Sequence, residues 1–475
     1  MRCAIGSREC RTLLVAAMFA ALPAALSASG FQLVEQNASG LGNAFAGQAA
    51  GVEDASAVYF NPAALTRIKG LQIVVSTEPI GVATEFVDSG SRGPALPFGT
   101  AAFLPVPLGG AGGDAGGWVP VPNAYASWQA AERWWIGLGV NAPFGLATEW
   151  DPSWVGRFHA VESEVRTLNV NPTVAFKVTD GFSLGAGASL QRLEATLSQS
   201  VPYGGIAVAA AAVAAGPAAA AGILAQLGGA PGLAREGLAR VEGDDTSWGW
   251  NVGARLALGE GSLAASYRSK VTHELQGDAT FEGAPVFSVT GPLGALGTGI
   301  NARFASGPAG TEVTLPDTLS VAAAYQMGKA EVLADWTWTG WSSVQTLSIT
   351  RADGAALSSV PLRFEDTWRA GLGLNYGLNE TWLVRLGTAY DKTPVQDEFR
   401  TPRLPDTDRI WAAAGFQWRL SKTATIDLGY AHLFLDEAES ALPNQDSAQA
   451  PPRGDLLGSY EAKVDILGLQ LRLSF

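Results

Sequence analysis

Strict alternation between apolar residues and small or polar residues limits the possible folds of this sequence more than any other feature. Between residues 367 and 377, every second residue is apolar with aromatics near the ends, and the intervening residues are mainly glycine and arginine. The same pattern occurs in 382–387 and 409–419. A period of two predicts β-strands with two different faces. A soluble sandwich would carry many lysines and glutamates on its polar face, which these segments lack.

A closed transmembrane β-barrel explains this pattern best. Only 16% of the 475 residues are charged, against roughly 25% in typical soluble domains. A closed barrel is the sheet that satisfies every backbone polar group in hydrocarbon, with apolar residues facing lipid and small or polar residues facing the lumen. We therefore predict an all-β protein, an antiparallel transmembrane barrel of about fourteen strands, an even number as in other bacterial barrels.

The N-terminus predicts export. Residues 1–28 resemble a signal peptide, with three arginines before the apolar stretch Thr12–Leu26 and small residues after it. A retained membrane anchor is the alternative. Both cysteines, Cys3 and Cys10, precede the apolar stretch, so we expect a mature chain without disulfides. An exported, acidic, tryptophan-rich barrel is expected in the outer membrane of a Gram-negative cell, as a monomer in contact with its lipids.

The connections between strands fall into two kinds. Short polar segments predict tight turns at one end of the barrel, and these are Thr179–Gly181, Gly259–Ser262, Met327–Lys329, Gly377–Thr381 and Ser421–Thr423. Longer segments rich in glycine and proline are placed outside the cell, among them an apolar loop at about 200–245. Residues 207–227 of this loop are alanine-rich and interrupted by Pro217. We predict a partly helical landing surface for hydrophobic ligands, with a low-complexity insertion as the alternative.

Residues 29–70 precede the barrel, which we assign to 71–475. They do not alternate and are rich in glycine, alanine and asparagine. The segment is too short to form a core of its own, and a barrel of this size has a lumen wide enough to require filling. We therefore predict that it plugs the lumen as an N-terminal hatch.

Four stretches of the sequence, in this order along the chain, resemble the FadL-type outer-membrane transporters of long-chain fatty acids and other hydrophobic compounds. They are GFQL at Gly30–Leu33 with SGLGNAFAG at Ser39–Gly47, NPAAL at Asn61–Leu65, APFGLATEW at Ala142–Trp150, and LPDTDRIW at Leu404–Trp411. The resemblance implies a fourteen-stranded barrel with a hatch and passive transport of hydrophobic molecules. It places Asn61, Pro62 and Ala63 in the hatch.

Pro143 interrupts an otherwise regular strand from Trp135 to Trp150. Proline cannot donate a hydrogen bond to its neighbour and is confined to edges and bulges of sheets, and a bulge can open a barrel wall. The resemblance implies that a kinked third strand provides a lateral opening at the matching residues, which are Ala142, Pro143, Phe144 and Gly145. The alternative is that the strand ends at Asn141 and Pro143 lies in a loop.

The resemblance also suggests ligand-binding positions. Phe31 matches a hatch phenylalanine, and we predict that it lines or plugs the ligand pocket. Family members that carry fatty acids place basic residues near the carboxylate, but the corresponding positions here are Gln199 and Ser348. An uncharged hydrocarbon or a different anchoring residue is then the alternative. Four arginines face the lumen by parity and could substitute, or could pair with inward acids such as Asp335 and Asp427; they are Arg369, Arg385, Arg409 and Arg419.

Other functions have little support in the sequence. The three histidines, His159, His273 and His432, are widely spaced and have no cysteine partners, so we expect no metal site. No nucleotide-binding or hydrolase motif occurs in a suitable context, and we expect neither an enzyme nor a cofactor. The net charge of −13 argues against nucleic acid as a partner. A general diffusion porin and an adhesin or structural barrel remain as alternative functions.

Overall fold

The computed structural model of the protein describes residues 30–94, 107–443 and 453–475. The predicted signal peptide at 1–28 and the first residue of the predicted hatch lie outside the described residues.

The described residues form 22 strand segments that join into fourteen barrel strands, as predicted. The first seven barrel strands are β1 (Leu71–Thr77) with β2 (Ile80–Asp88), β3 (Gly117–Val119) with β4 (Pro122–Ala131), β5 (Trp134–Asn141) with β6 (Gly145–Glu149), β7 (Glu162–Lys177), β8 (Phe182–Val201), β9 (Gly237–Leu258), and β10 (Gly261–Arg268) with β11 (Val271–Phe281). The last seven are β12 (Gly307–Leu315) with β13 (Thr318–Met327), β14 (Ala330–Thr339) with β15 (Thr346–Arg351), β16 (Ala356–Pro361) with β17 (Thr367–Gly377), β18 (Trp382–Asp391), β19 (Arg409–Arg419), β20 (Ala424–Leu435) with β21 (Ala438–Leu442), and β22 (Leu456–Ser474).

The sheet closes between its last and first strands. On one side β22 pairs with β20 and β21, and on the other side it pairs with β1 and β2, all antiparallel. Gln470 therefore lies opposite both Ser76 and Asp427. Closure removes the unpaired edges that a sheet in hydrocarbon could not tolerate.

Exposure confirms the two faces predicted from the alternation. Leu372, Ile410 and Leu469 are about half exposed on the outer surface, whereas Arg369 and Trp411 are buried toward the lumen. All five predicted short turns lie between consecutive strand segments, although β10 begins at Gly261, inside one predicted turn. These turns define the turn end of the barrel, and the longer connections define its loop end.

Helices occur in the hatch and at the loop end. The hatch contains α1 (Ala38–Leu41), α2 (Gln48–Gly51), α3 (Ala57–Phe60) and the 3-10 helix Pro62–Arg67, and the loops contain α4 (Tyr203–Gln226), α5 (Gly294–Arg303) and 3-10 turns at Ala230–Ala234, Trp341–Ser343 and Asp397–Phe399. Nearly every hatch residue from Gly30 to Leu65 is buried, because the hatch lies against the inner wall. These residues thus occupy the lumen.

The loop helix α4 is more continuous than the sequence suggests. It is interrupted at Gly216, whose φ of 80° leaves the helical region just before Pro217, a residue that lacks the N–H needed by a helix. Its length and composition would allow it to cross a membrane, but it packs instead on Phe287, Ile300 and Phe304. The apolar loop thus forms a small core of its own at the loop end.

The lipid-facing belt predicts a position-dependent effect of charge. Leu372 lies midway along β17 between the outward aromatics Trp368 and Tyr376. We expect Leu372→Arg to lower the free energy of unfolding by about 2–4 kcal/mol, because the charge enters the bilayer midplane. Urea unfolding in lipid vesicles measures this change. The matched variant Leu378→Arg, in the turn after β17, should change it by about 0–1 kcal/mol; equal losses would argue against the predicted belt.

Candidate transport path

The third barrel strand is interrupted on one side only. It ends as β5 at Asn141 and resumes as β6 at Gly145, and both segments pair with β7. On the other side, β4 pairs with β5 up to Ala124 opposite Val140, and among the described ladders none joins β6 to β3 or β4. The strand therefore does not simply end before Pro143, and a gap separates it from the second barrel strand.

Prolines on both sides of the gap explain why the strands do not pair there. Pro120 and Pro122 border the gap from the second barrel strand, and Pro143 borders it from the third. None of them has an N–H to donate to a facing strand. The next hydrogen bond across the gap joins the Glu149 amide to the Ala115 carbonyl at 3.0 Å. Along the third barrel strand, the gap thus begins after Val140 and ends at Glu149.

The beginning of the hatch supplies the hydrogen bonds that the neighbouring strand does not. The Leu33 amide donates to the Pro143 carbonyl at 2.8 Å, and the Gly145 amide donates to the Phe31 carbonyl at 2.9 Å. The chain at Phe31–Leu33 thereby acts as a short extra strand on the lumen side of the kink. The backbone at the kink is therefore satisfied without closing the wall.

Gln36, a residue that the sequence analysis did not single out, binds the remaining polar groups of the kink. Its amide nitrogen donates to the Ala142 carbonyl at 3.0 Å, and its oxygen accepts from Asn141 Nδ2 at 2.5 Å. Gln36 is fully buried. A fully buried glutamine must find partners, but the burial of Gln36 is visible only in the structure, so no signal in the sequence indicated this role.

A cavity of about 270 Å³, here called the wall cavity, lies at the gap. It is lined by Pro120, Val121, Pro122, Ala142, Phe144, Arg166, Thr167, Leu168, Arg192 and Glu194. Thr167 is buried toward the lumen, while Arg192 is about half exposed on the outer surface. The wall cavity therefore reaches residues of both faces of the wall.

A second cavity of about 140 Å³, the inner cavity, lies inside the barrel and is almost entirely apolar around Phe31. Its apolar lining residues include Leu146, Val165, Leu193, Leu275, Val344 and Phe364. The Phe31 ring packs against Trp341 with a centroid distance of 4.8 Å and against Phe144 at 6.0 Å. Because Phe144 also lines the wall cavity, the two phenylalanines lie between the two cavities.

A third cavity of about 380 Å³, the vestibule, lies at the loop end between α4, α5 and the barrel rim. Its lining includes Ile206, Phe281 and Phe304, together with the cations Arg303, Arg351 and Arg403. Arg403 also lines the inner cavity. The three cavities are therefore arranged in series from the loop end to the gap.

The hatch is attached to the wall at β8 and β9 by Asn61, Pro62 and Ala63. The Asn61 side chain donates to the carbonyls of Ala49 at 2.8 Å and Ala254 at 3.2 Å, and accepts from the Ala63 amide at 3.0 Å. Glycine is required where this turn meets the wall. A Cβ at Gly253 would lie 2.0 Å from Asn61 Oδ1.

The lumen arginines pair with acids. Arg369 Nη1 lies 3.5 Å from Asp335 Oδ2, Arg385 Nη1 lies 2.7 Å from Asp427 Oδ1, and Arg409 Nη2 lies 2.9 Å from Asp406 Oδ1. Such pairing satisfies buried charges. The placement of Arg419 in the lumen is wrong. Arg419 is the last residue of β19, and its exposed side chain donates to the Glu380 carbonyl at the turn end.

The two suggested headgroup positions have different surroundings. Ser348 is exposed, pairs with Ser359, and faces away from the neighbouring Ile349, which lines the vestibule. Ser348 therefore lies outside the cavities that a ligand headgroup could occupy. Gln199, in contrast, is buried in the vestibule wall and accepts a hydrogen bond from Arg403 Nη2 at 3.0 Å.

The loop residues around Arg403 form a positively charged region. Burial and the charge of Arg453 lower the pKa of Arg403 to about 9, and burial lowers the pKa of Arg453 to about 10. Both guanidinium groups remain protonated at neutral pH. Burial and these two cations lower the pKa of His159 to about 3, so His159 is neutral.

A closed barrel with a lipid-facing surface, a hatch bonded into its lumen and apolar cavities leading to a gap in its wall defines an outer-membrane transport protein. The chain belongs to the family described as "Outer membrane protein transport protein (OMPP1/FadL/TodX)", which it matches over residues 19–475. This is a family of outer-membrane proteins that transport hydrophobic compounds, and the outer membrane is the location of this chain.

Individual relatives match most of the length of this chain. The chain is 30% identical to the "47 kDa outer membrane protein" of Pasteurella multocida, covering 90% of this chain and 92% of that one. It is 26% identical to the "Long-chain fatty acid transport protein" of Escherichia coli K12, covering 85% and 87%. Among solved structures, a Pseudomonas aeruginosa FadL homologue superposes with a TM-score of 0.79 at 27% identity, covering 94% of this chain and all of the other.

The hydrogen bonds of Asn61 predict that its replacement loosens the hatch. Asn61→Leu would leave the Ala49 and Ala254 carbonyls and the Ala63 amide without this partner, and each buried polar group left unpaired costs roughly 1–3 kcal/mol. We expect a lower melting temperature and more frequent ion-conducting events in planar bilayers, because the hatch is loosened. Asn379→Leu, in an exposed turn, is the matched control. A silent Asn61→Leu channel would contradict this anchoring role.

Proposed function

We propose that this protein takes up hydrophobic compounds from outside the cell, with long-chain fatty acids as the main cargo, and releases them sideways into the membrane through the gap at Ala142–Gly145. The observation that carries the proposal is the series of cavities, in which Phe31 and Phe144 separate the inner cavity from the wall cavity. The loop end, with α4 and α5, then faces the extracellular side.

The proposal rests on the cost of exposing an acyl chain to water. Each methylene removed from water gains about 0.8 kcal/mol, so a sixteen-carbon tail gains on the order of 12 kcal/mol. A water-filled bore would impose that cost during passage. A route that leads from an apolar cavity directly into lipid avoids it.

The cavities suggest an order of events. The cargo is captured in the vestibule beside the apolar loop and enters the inner cavity with its tail against Phe31. A shift of the hatch residues at Phe31–Leu33 moves the Phe31 ring away from Phe144. The tail then reaches the wall cavity and leaves between the second and third barrel strands. No energy source is needed, because lipid is the more favourable environment for the tail.

Uncharged or aromatic hydrocarbons are the second candidate cargo. Gln199 is neutral, and Ser348 faces away from the cavities, so neither supplies a charge for a carboxylate. A general diffusion porin is disfavoured by the buried hatch, whose backbone and side chains bind the inner wall along its length.

Filling the gap tests lateral release. Ala142 is half-buried and lines the wall cavity, so Ala142→Trp should fill it with an indole ring. In cells that lack the endogenous protein, we expect wild-type protein to restore uptake of radiolabelled palmitate and Ala142→Trp to reduce that uptake at least fivefold.

The matched control is Ala412→Trp, which places the same side chain on the outer surface of the fully paired strand β19. It should retain wild-type uptake, and heat-dependent gel mobility should show both variants folded. Palmitate uptake by folded Ala142→Trp at the wild-type rate would overturn lateral release, and failure of the wild-type protein to restore uptake would overturn the proposed cargo.

A further inference from the structure

Arg403 occupies the junction between the vestibule and the inner cavity. It precedes β19 in the connection from β18, and its side chain lines both cavities. It is 9% exposed. A buried guanidinium is costly unless it is hydrogen-bonded and paired with an opposite charge, so its partners are informative.

All described hydrogen-bond partners of Arg403 are neutral. Nη1 donates to the Glu162 carbonyl at 3.2 Å and to Ser163 Oγ at 3.0 Å, and Nη2 donates to Gln199 Oε1 at 3.0 Å. Arginine has five N–H groups, so two remain, those of Nε and the second of Nη2. Within the described residues, Arg403 forms no ion pair.

Two other buried loop arginines, Arg157 and Arg400, differ from Arg403 in this respect. Arg157 lies 3.1 Å from Glu236, and Arg400 lies 2.8 Å from Asp397. The charge of a second cation, Arg453, acts on Arg403. Arg453 Nη2 donates to Ser358 Oγ at 3.0 Å. Glu312 lines the inner cavity and Asp353 lines the vestibule, but within the described residues neither forms an ion pair with Arg403 or Arg453. The two buried guanidinium groups therefore favour binding of an anion there.

The space next to Arg403 suits the remainder of an amphiphile. From Arg403, the inner cavity extends past Leu193 and Leu275 to Phe31, and its surface is almost wholly apolar. A cation at one end of an apolar cavity is complementary to a molecule with one anionic end and a hydrocarbon tail.

We propose that Arg403 binds the carboxylate of the cargo at the mouth of the inner cavity, so that the protein selects anionic amphiphiles over neutral molecules of equal length. The inference rests on the proposed function and assigns its headgroup site. The free Nε and Nη2 donors form the side of the guanidinium that binds carboxylates in bidentate fashion. Gln199 holds Arg403 in place and keeps its own amide donors for the ligand.

The experiment compares two ligands that differ only at the head. Displacement of a fluorescent fatty acid from the purified full-length protein measures the affinities for palmitate and for 1-hexadecanol. We expect Arg403→Gln to weaken palmitate binding at least tenfold and to leave 1-hexadecanol binding within twofold of wild type, because only the charged head loses its partner. Arg403→Lys keeps the charge and should recover a large part of palmitate binding.

The matched control is Arg419→Gln, since the exposed Arg419 side chain lies at the turn end and lines none of the three cavities; it should leave both affinities unchanged. Unchanged palmitate binding by Arg403→Gln, or an equal loss for both ligands, would overturn the assignment. If Arg403→Gln does not fold, Arg403→Lys and Gln199→Leu are used instead. Weaker palmitate binding by Gln199→Leu, with unchanged 1-hexadecanol binding, supports the site. If neither variant weakens palmitate binding selectively, the assignment is overturned. Wild-type protein that binds neither ligand would instead overturn the proposed function.

Discussion

Every backbone polar group in a membrane-spanning wall needs a partner, and the rest of this structure depends on how that requirement is met beside Pro143. Pro120 and Pro122 of the neighbouring strand have no N–H to offer the Pro143 carbonyl, and no described ladder joins that strand to β6. The hatch meets it from inside, through Phe31 and Leu33. The hatch and the gap are therefore one unit: moving Phe31–Leu33 away leaves the Pro143 carbonyl and the Gly145 amide unpaired. In the proposed transport cycle, this cost favours return of the hatch to its closed position.

The charge pairs of the lumen hold the hatch as well as each other. Asp335, which pairs with Arg369, also accepts the Gly47 amide at 3.1 Å, and Arg369 Nη2 donates to the Ala44 carbonyl. The hatch helices have only four residues each in their α-helical parts, too few to be stable alone. The inner wall therefore supplies the partners that the hatch backbone lacks, and the hatch acquires its structure from the barrel.

The sequence predicted the alternating strands and the position of the kink at Pro143. It did not predict which residues form hydrogen bonds with the kink. Period two sets the strands and their faces, and Pro143 stands out because proline disrupts any strand. The sequence could not reveal that Gln36 and Leu33 would bond to the kink, because such pairs join positions more than a hundred residues apart. Arg403 was missed because its loop has no period, and Arg419 was misplaced because parity does not show where a strand leaves the membrane.

The polarity of the lumen below the hatch argues that cargo does not continue along the barrel axis. Toward the turn end, a small cavity beside the hatch is lined by Glu53, Asp54, Glu331, Arg385 and Arg472, together with polar amides. An acyl chain entering it would give up apolar contacts and would separate charges from their partners, and both changes cost free energy. The wall cavity is also lined by Arg166, Arg192 and Glu194, but it offers a mainly apolar surface that includes Val121, Ala142 and Leu168. The same hatch therefore makes the axial route unfavourable for a hydrocarbon tail, which supports the lateral release that we propose.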